Sequence, residues 1–349
     1  MLSPKSNSTT PEDRYGRPLR DLRISVTDRC NFRCPYCMPA EIYGESYEFL
    51  PRPELLRFEE IERLARLCVD LGVEKIRITG GEPLLRHQLP SLIERLAGIE
   101  GLKDLALTTN GFLLGKQAQT LAEAGLQRVT VSMDSHDEEI FKRMSGTAFG
   151  PDRVFEGIEA AERAGLSPIK INCVVQRGVN DQHVVDLARR FKGTGHTIRF
   201  IEFMDVGTLN HWSLDQVFPA VEIVRNIDAE MPLEPLEPRY AGEVASRYGY
   251  RDGSGEIGVI ASVTQPFCGG CTRARLTTQG QLVTCLFAAG GEDLREPMRG
   301  GESDEELRDR ISRIWLGRED RYSEERAGLS HPERQQQSRG RIEMYQVGG

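Results

Sequence analysis

Apolar positions along this chain follow two periods that alternate. Short runs rich in β-branched residues, at Leu22–Thr27, Lys75–Thr79, Asp104–Thr109, Arg128–Met133, Ile169–Gln176 and Thr197–Phe203, read as strands. Segments with helical spacing lie between them: Phe58–Leu71, with Ile61, Leu64, Leu67, Cys68 and Leu71 on one face, then Leu89–Leu96, Leu113–Ala124, Asp152–Ala164 and Asp181–Phe191. Asp152 and Asp181 stand where they can cap or open a helix, and Gly72, Gly125 and Gly165 where glycine ends one. Six strand–helix units in a row predict a parallel sheet, because parallel neighbours need crossover helices. That is too few for a closed eight-stranded barrel. The expected fold class is α/β, a sheet curled into a partial (β/α)6, TIM-like barrel, with a doubly wound sheet as the alternative. Either places the ligand at the carboxyl ends of the strands.

Past residue 210 the pattern changes. A helix is expected over Leu214–Ala229, then a connector with Pro232, Pro235 and Pro238, then turn-rich runs at Glu256–Val263 and Arg275–Thr278, and a last helix over Ser303–Gly317. The expected division is a flexible N-terminus over 1–15, a barrel over 16–230, and a C-terminal α+β extension over 231–317 that closes the open face. A charged tail over 318–349 follows, containing Gln335–Gln337 and ending in Gly348–Gly349. Its charge suggests a mobile or surface-hugging segment.

Composition narrows the function. The 349 residues carry 45 basic and 53 acidic side chains, a net charge of −8, which argues against a general nucleic-acid binder. A local cluster of arginines can still hold a small anion. No run approaches the roughly 18 apolar residues of a membrane span, and the polar start of the chain lacks a signal peptide's apolar core. The expectation is a cytoplasmic protein with no membrane partner.

Of eight cysteines, Cys68 and Cys173 sit in apolar patterns and read as ordinary buried residues, while the other six form two groups. Cys30, Cys34 and Cys37 give C-x3-C-x2-C directly after the first strand. Three thiolates can bind three irons of a [4Fe–4S] cube and leave the fourth iron open. The competing reading, structural zinc, wants a fourth Cys or His, and the nearest histidine, His87, is fifty residues away. Cys268, Cys271 and Cys285 form a second incomplete set, C-x2-C-x13-C, for which zinc and iron–sulfur are equally open. Among them, Arg273-Ala274-Arg275 puts two guanidiniums on one side of a strand. A solvated charged face is the ordinary explanation; two forks for phosphate oxygens are the functional one. Arg23, Arg77, Lys170 and Arg199 are further cations inside strands, unusual unless they face a ligand or an ion partner. Gly80-Gly81-Glu82-Pro83 ends the second strand, through a tight turn or a close ligand approach.

The run from Leu22 through Cys30, Cys34 and Cys37 to Pro39 resembles the opening of the radical S-adenosylmethionine (SAM) superfamily. With the second cysteine set, the chain is similar, from about Tyr15 to its end, to the MoaA family of GTP 3′,8-cyclases in molybdenum cofactor biosynthesis. That resemblance implies two [4Fe–4S] clusters, one on each triad, and SAM as cofactor. It implies SAM contacts at Tyr36, Gly81, Ser132 and Met204, with Glu82 near the SAM ammonium. GTP contacts are implied at Arg23, Arg77, Thr108, Lys170, Arg273, Ala274 and Arg275, with Arg199 unassigned. The implied chemistry takes the C3′ hydrogen of GTP and closes C3′ onto C8, and the Gly-Gly end reaches toward the site. The implied partners are GTP, a cyclic pyranopterin monophosphate synthase downstream, an electron donor and a second copy of the chain. The rivals are a radical SAM enzyme acting on another nucleotide or a peptide, and a non-catalytic zinc protein.

Overall fold

The computed structural model describes residues 10–240, 242–329 and 340–348. The expected strands form in order as β1 (Asp21–Ser25), β2 (Lys75–Thr79), β3 (Asp104–Thr109), β4 (Arg128–Ser132), β5 (Lys170–Val175) and β6 (Thr197–Glu202), each parallel to the next. Strand alternation sorts their side chains. Leu22, Ile24, Ile76, Ile78, Leu105, Leu107, Val129, Val131, Ile171, Cys173, Ile198 and Phe200 all join one buried core. Arg23, Arg77, Thr108, Ser132, Asn172 and Arg199 fall on the other face, so a one-residue slip in register would bury the arginines and expose the core.

Helices α1 (Phe58–Asp70), α2 (Leu89–Ala97), α3 (Leu114–Glu123), α4 (Glu138–Ser145), α5 (Asp152–Arg163) and α6 (Val184–Phe191) supply the crossovers. The buried face of α1 is Ile61, Leu64, Ala65, Leu67 and Cys68, the helical stripe read from its spacing. Short α4 was not expected; Asp137 starts it by accepting the Ile140 N–H at 2.9 Å.

The second half departs from expectation in an informative way. The helix expected over Leu214–Ala229 is broken: α7 spans Ala220–Glu230, while Leu214–Gln216 is a separate short turn. Pro219 stands between them and has no N–H to continue a ladder. There follow β7 (Leu233–Leu236), β8 (Ser246–Tyr250), β9 (Glu256–Ile260), β10 (Arg273–Leu276), β11 (Gln281–Val283) and β12 (Glu292–Asp293). Helices α8 (Arg295–Arg299), α9 (Asp304–Leu316), α10 (Tyr322–Glu325) and α11 (Met344–Val347) complete the described chain. Pro235 lies in β7, an edge strand, where a missing donor costs nothing.

All the strands belong to one sheet, ordered β12-β11-β10-β1-β2-β3-β4-β5-β6-β9-β8-β7. β10 runs parallel to β1, and β9 runs parallel to β6. The extension therefore lengthens the parallel sheet at both ends, and the expected boundary at residue 230 crosses a continuous hydrogen-bonded sheet. The ends, β12 and β7, do not pair with each other.

The described parts of both end segments pack against the rest of the molecule. Asp13, inside the segment expected to be flexible, is 6% exposed and accepts Arg17 Nε at 2.6 Å. In the charged tail, Arg318, Arg326 and Arg341 are buried, so its described parts are packed rather than solvated. Residues 1–9, Gln335–Gln337 and Gly349 lie outside the described residues. No helix among the described residues is long and apolar enough to cross a membrane.

Candidate active site

The strand ends and the loops after them enclose two adjoining cavities. The first is lined by Cys30, Cys34 and Cys37, by Thr79, Gly80 and Gly81 at the end of β2, and by Ser132 and Asp134 after β4. Tyr36 also lines it, donating its hydroxyl to Asp134 Oδ2 at 2.7 Å. Among the described residues no Lys, Arg or His lines this cavity, and Asp134 is its only carboxylate. Burial raises the Asp134 carboxyl to about 6, against the pull of the Tyr36 and Val174 hydrogen bonds. Such a chamber suits a cationic ligand.

The second cavity has the opposite character. Arg23, Arg77, Arg199, Arg273, Arg275 and Arg318 line it, with Asp320 as the one carboxylate among the described residues, beside Cys268, Cys271 and Cys285. Burial, then Arg275, Arg273 and Arg77, depress the Arg23 guanidinium, and the Nε atoms of Arg23 and Arg275 are buried without a partner. Guanidiniums packed this way have unspent capacity for a polyanion. Arg77 Nη1 donates to Thr108 at 3.1 Å and Thr130 at 2.8 Å, and Arg199 Nε to Asn172 at 2.9 Å, which holds both cations against the cavity wall. Thr108, Asn172, Val174, Ile201 and Met344 line both cavities. Ligands in the two chambers thus meet across a thin shared wall.

The thiols fit the clusters that the sequence suggested. The first three lie half-buried on one loop. Phe32 N–H at 3.4 Å and Asn110 Nδ2 at 3.9 Å point at Cys30 Sγ, the donors that a coordinating thiolate uses. Without metal, burial and then Glu82 push the Cys30 thiol up to about 12, so loading iron must displace protons. Cys271 differs: burial pushes its thiol up, but Arg273 and Arg318 overcome this and hold it at about 6. Arg17 Nη1 to Cys268 O and Arg318 Nη1 to Cys271 O, each 2.7 Å, brace the second loop. Among the described residues no group of three or more His, Cys, Asp or Glu side chains converges on one metal ion.

Four expected contacts change place or role. Met204, expected at SAM, lines the second cavity. Glu82 does not face a ligand: its buried carboxyl accepts Thr109 Oγ1 at 2.7 Å, Asn110 N at 2.7 Å and Leu84 N at 3.0 Å, and so orders the loops around the site. Ala274 has its side chain in the core, on the opposite face of β10 from Arg273 and Arg275. Lys170 shares the inner face but lines neither cavity. The paired glycines serve the chain itself before any ligand. A Cβ on Gly81 would lie 2.4 Å from Arg29 O, and one on Gly80, at φ +143°, would lie 2.5 Å from Thr27 O. β2 can press against the first cysteine loop only because both are glycine.

Sequence reasoning missed Asn172, Asp134, Arg318 and Met344. Asn172 was reachable, two residues from Lys170 on the same strand face. Arg318 and Met344 carry no local signal.

The end of the chain crosses this site. Asp205 accepts Tyr322 OH at 2.5 Å and Arg341 Nη1 at 3.2 Å, and it also binds Arg326 Nη1. Thr208 donates N–H to Glu343 Oε1 at 3.0 Å. The strap so fastened places Met344 and Tyr345 in the cavity walls and Gly348 against Thr79, with no room there for a Cβ.

Residues 24–191 match the family model of the radical SAM superfamily, and residues 196–324 that of Molybdenum Cofactor Synthesis C. A curated GTP 3′,8-cyclase of Acidothermus cellulolyticus is 56% identical over 319 residues, 90% of this chain and 88% of that one. The enzyme of that name from Xanthomonas campestris pv. campestris is 50% identical over 348 residues, covering 100% of both. Among solved structures, Streptococcus suis SuiB bound to S-adenosylmethionine has a similar fold, with TM-score 0.59 at 15% identity. That match covers 86% of this chain, which spans 66% of SuiB.

Proposed function

This chain belongs to the GTP 3′,8-cyclase family of the radical SAM superfamily, and from that membership we propose that its two joined cavities convert GTP to (8S)-3′,8-cyclo-7,8-dihydroguanosine 5′-triphosphate, the first step of molybdenum cofactor biosynthesis. The observation that carries the reading is the pairing of a chamber free of cations with one lined by six arginines, across a shared wall. SAM carries a sulfonium and GTP a triphosphate, so each chamber has the charge its ligand needs.

SAM and an iron–sulfur cluster are this family's cofactors. Cys30, Cys34 and Cys37 would hold the SAM-binding [4Fe–4S] cluster; Cys268, Cys271 and Cys285 would hold a second beside GTP. When bound, the first cluster and SAM supply a carbon-centred radical. The chain's own residues do the positioning. Tyr36, Gly81, Ser132 and Asp134 hold SAM, while Arg23, Arg77, Arg273 and Arg275 fix the triphosphate and so present C3′ of the ribose at the shared wall. Lys170 stands behind them as a further cation. Ring closure would pass the C3′ hydrogen to the SAM-derived radical, giving 5′-deoxyadenosine, form the C3′–C8 bond, and take one electron from the electron donor and one proton to complete N7–H. Because a radical takes whichever C–H bond is nearest, geometry decides the outcome. Val174, Ile201 and Met344 form the apolar part of the meeting point, beside the polar Thr108 and Asn172. We class the reaction as a lyase step whose product passes to a cyclic pyranopterin monophosphate synthase.

The test is SAM cleavage by reduced, reconstituted protein given each nucleoside triphosphate in turn. 5′-Deoxyadenosine should form with GTP and not without it; equal formation with ATP or with no nucleotide removes the substrate assignment. Metal analysis of anaerobic protein should give roughly eight irons per chain, four for each cluster, and stoichiometric zinc would remove the enzyme reading.

A further inference from the structure

Back to back with the first cavity is a surface groove that this chemistry leaves unused. Its walls include Arg29, Arg52, Arg57, Arg86 and His87, of which Arg29, Arg52, Arg57 and His87 are exposed. Its floor is apolar, with Leu50, Leu55, Leu56 and Phe58, and Leu85 stands 41% exposed at the rim. Among the described residues Glu59 is the only carboxylate lining it, and Arg95 takes that at 2.9 Å. In a chain of net charge −8, a basic rim around an apolar floor is a local reversal of the overall field. An apolar centre inside a charged rim is the anatomy of a protein contact.

Its position gives it meaning. Thr27 and Arg29 line the groove on one side of a loop, while Cys30, the next residue, lines the cavity on the other. Consecutive Cα atoms are about 3.8 Å apart, so one thickness of chain separates them. The loop is firm: Asp28 Oδ2 accepts Leu50 N–H at 2.7 Å from the groove floor, and Glu82 N–H donates to Arg29 O at 2.8 Å. All three thiols are half-buried, and of them Cys30 is the one joined directly to a residue of the groove wall, Arg29.

We propose that this groove receives an acidic, reducing one-electron carrier protein, seated so that its redox group faces Thr27–Cys30. The carrier loses one electron, the iron–sulfur group on the first triad gains it, and no atom is transferred. The inference rests on the reading of that triad as a cluster holder. Charge complementarity selects the partner: acidic rims meet Arg29 and Arg52, with His87 beside them, and apolar contact at Leu85 excludes water from the electron's path.

The test uses full-length, iron-loaded protein and an acidic FMN carrier, a flavodoxin, as probe. Direct binding should weaken as salt rises. In Arg52→Glu/His87→Glu, binding and carrier-driven cluster reduction should both fall about tenfold or more, with Arg52→Gln falling less. SAM cleavage driven by dithionite, a reductant too small to need docking, should be unchanged, which also shows that the variant is folded. Equal flavodoxin binding by the variant overturns the proposal, as does equal competition from an RNA oligomer of matched charge. If dithionite supports no GTP-dependent cleavage in the unaltered protein, the cluster reading fails instead, while the binding arm still judges the groove.

Discussion

A lysine enclosed by arginines is a poor place for positive charge. Burial, then Arg199, Arg128, Lys75 and Arg77, press the Lys170 ammonium down to about 7. At pH 8 the free protein therefore holds Lys170 mostly neutral. A triphosphate arriving nearby favours the charged form, so GTP binding at that pH should take up a proton. Calorimetry in two buffers of different ionisation enthalpy measures this directly; the uptake should vanish in Lys170→Met while the arginines preserve most of the affinity. Proton-neutral binding by the unaltered protein would place Lys170 outside the phosphate's reach. Legibility at this scale follows charge. Arg23, Arg77, Arg273 and Arg275 were visible because a cation inside a strand needs a reason. Asn172 and Met344 were not, since neither residue type is unusual where it stands.

Among the elements, α11 and the residues leading into it act as a strap whose buried ionic anchor is Asp205. Asp205 is 9% exposed and holds Arg326, Arg341 and Tyr322 together. Asp205→Ala leaves two guanidiniums buried without their carboxylate, a loss of about 3–5 kcal/mol. Hydrogen exchange over 340–348 should then accelerate in the protein without clusters, while β1 to β6 keep their protection. Unchanged exchange across the strap would mean that Thr208 and Glu343 hold it by themselves. The sequence could not indicate this anchor, because its charged groups lie 121 and 136 residues apart and each looks solvated alone. Strands β1 to β6 were legible because each has an alternating apolar face of its own; α4, β11 and β12 are too short to establish a period.

For the whole molecule, the joint between the first strand–helix units and the extension is partly ionic. Glu60 of α1, 4% exposed, accepts Arg299 Nε of α8 at 2.9 Å. Burial alone would raise its carboxyl, but Arg299 and Arg57 hold it at about 2. A folded-state value below the ordinary one near 4.5 gives stability that is complete above pH 4.5 and lost as pH falls toward 2. Denaturant midpoints should drop over that window in the unaltered protein and drop less steeply in Glu60→Gln; parallel curves would deny Glu60 its part. The joint was hidden from sequence reading because β9 and β10 join strands made much earlier. That arrangement also sets a timetable for assembly. Asp21 of β1 pairs with Arg273 of β10, so during synthesis β1 waits with one open edge until the late strand emerges. At about 5–20 residues per second, the wait is roughly ten to fifty seconds. Through that interval Arg23 and Arg275, register partners in the wall of the second cavity, do not exist as a pair, and the nascent sheet presents a bare strand that other chains can join. The price of building one site from both ends of the chain is a long exposure before either end is protected.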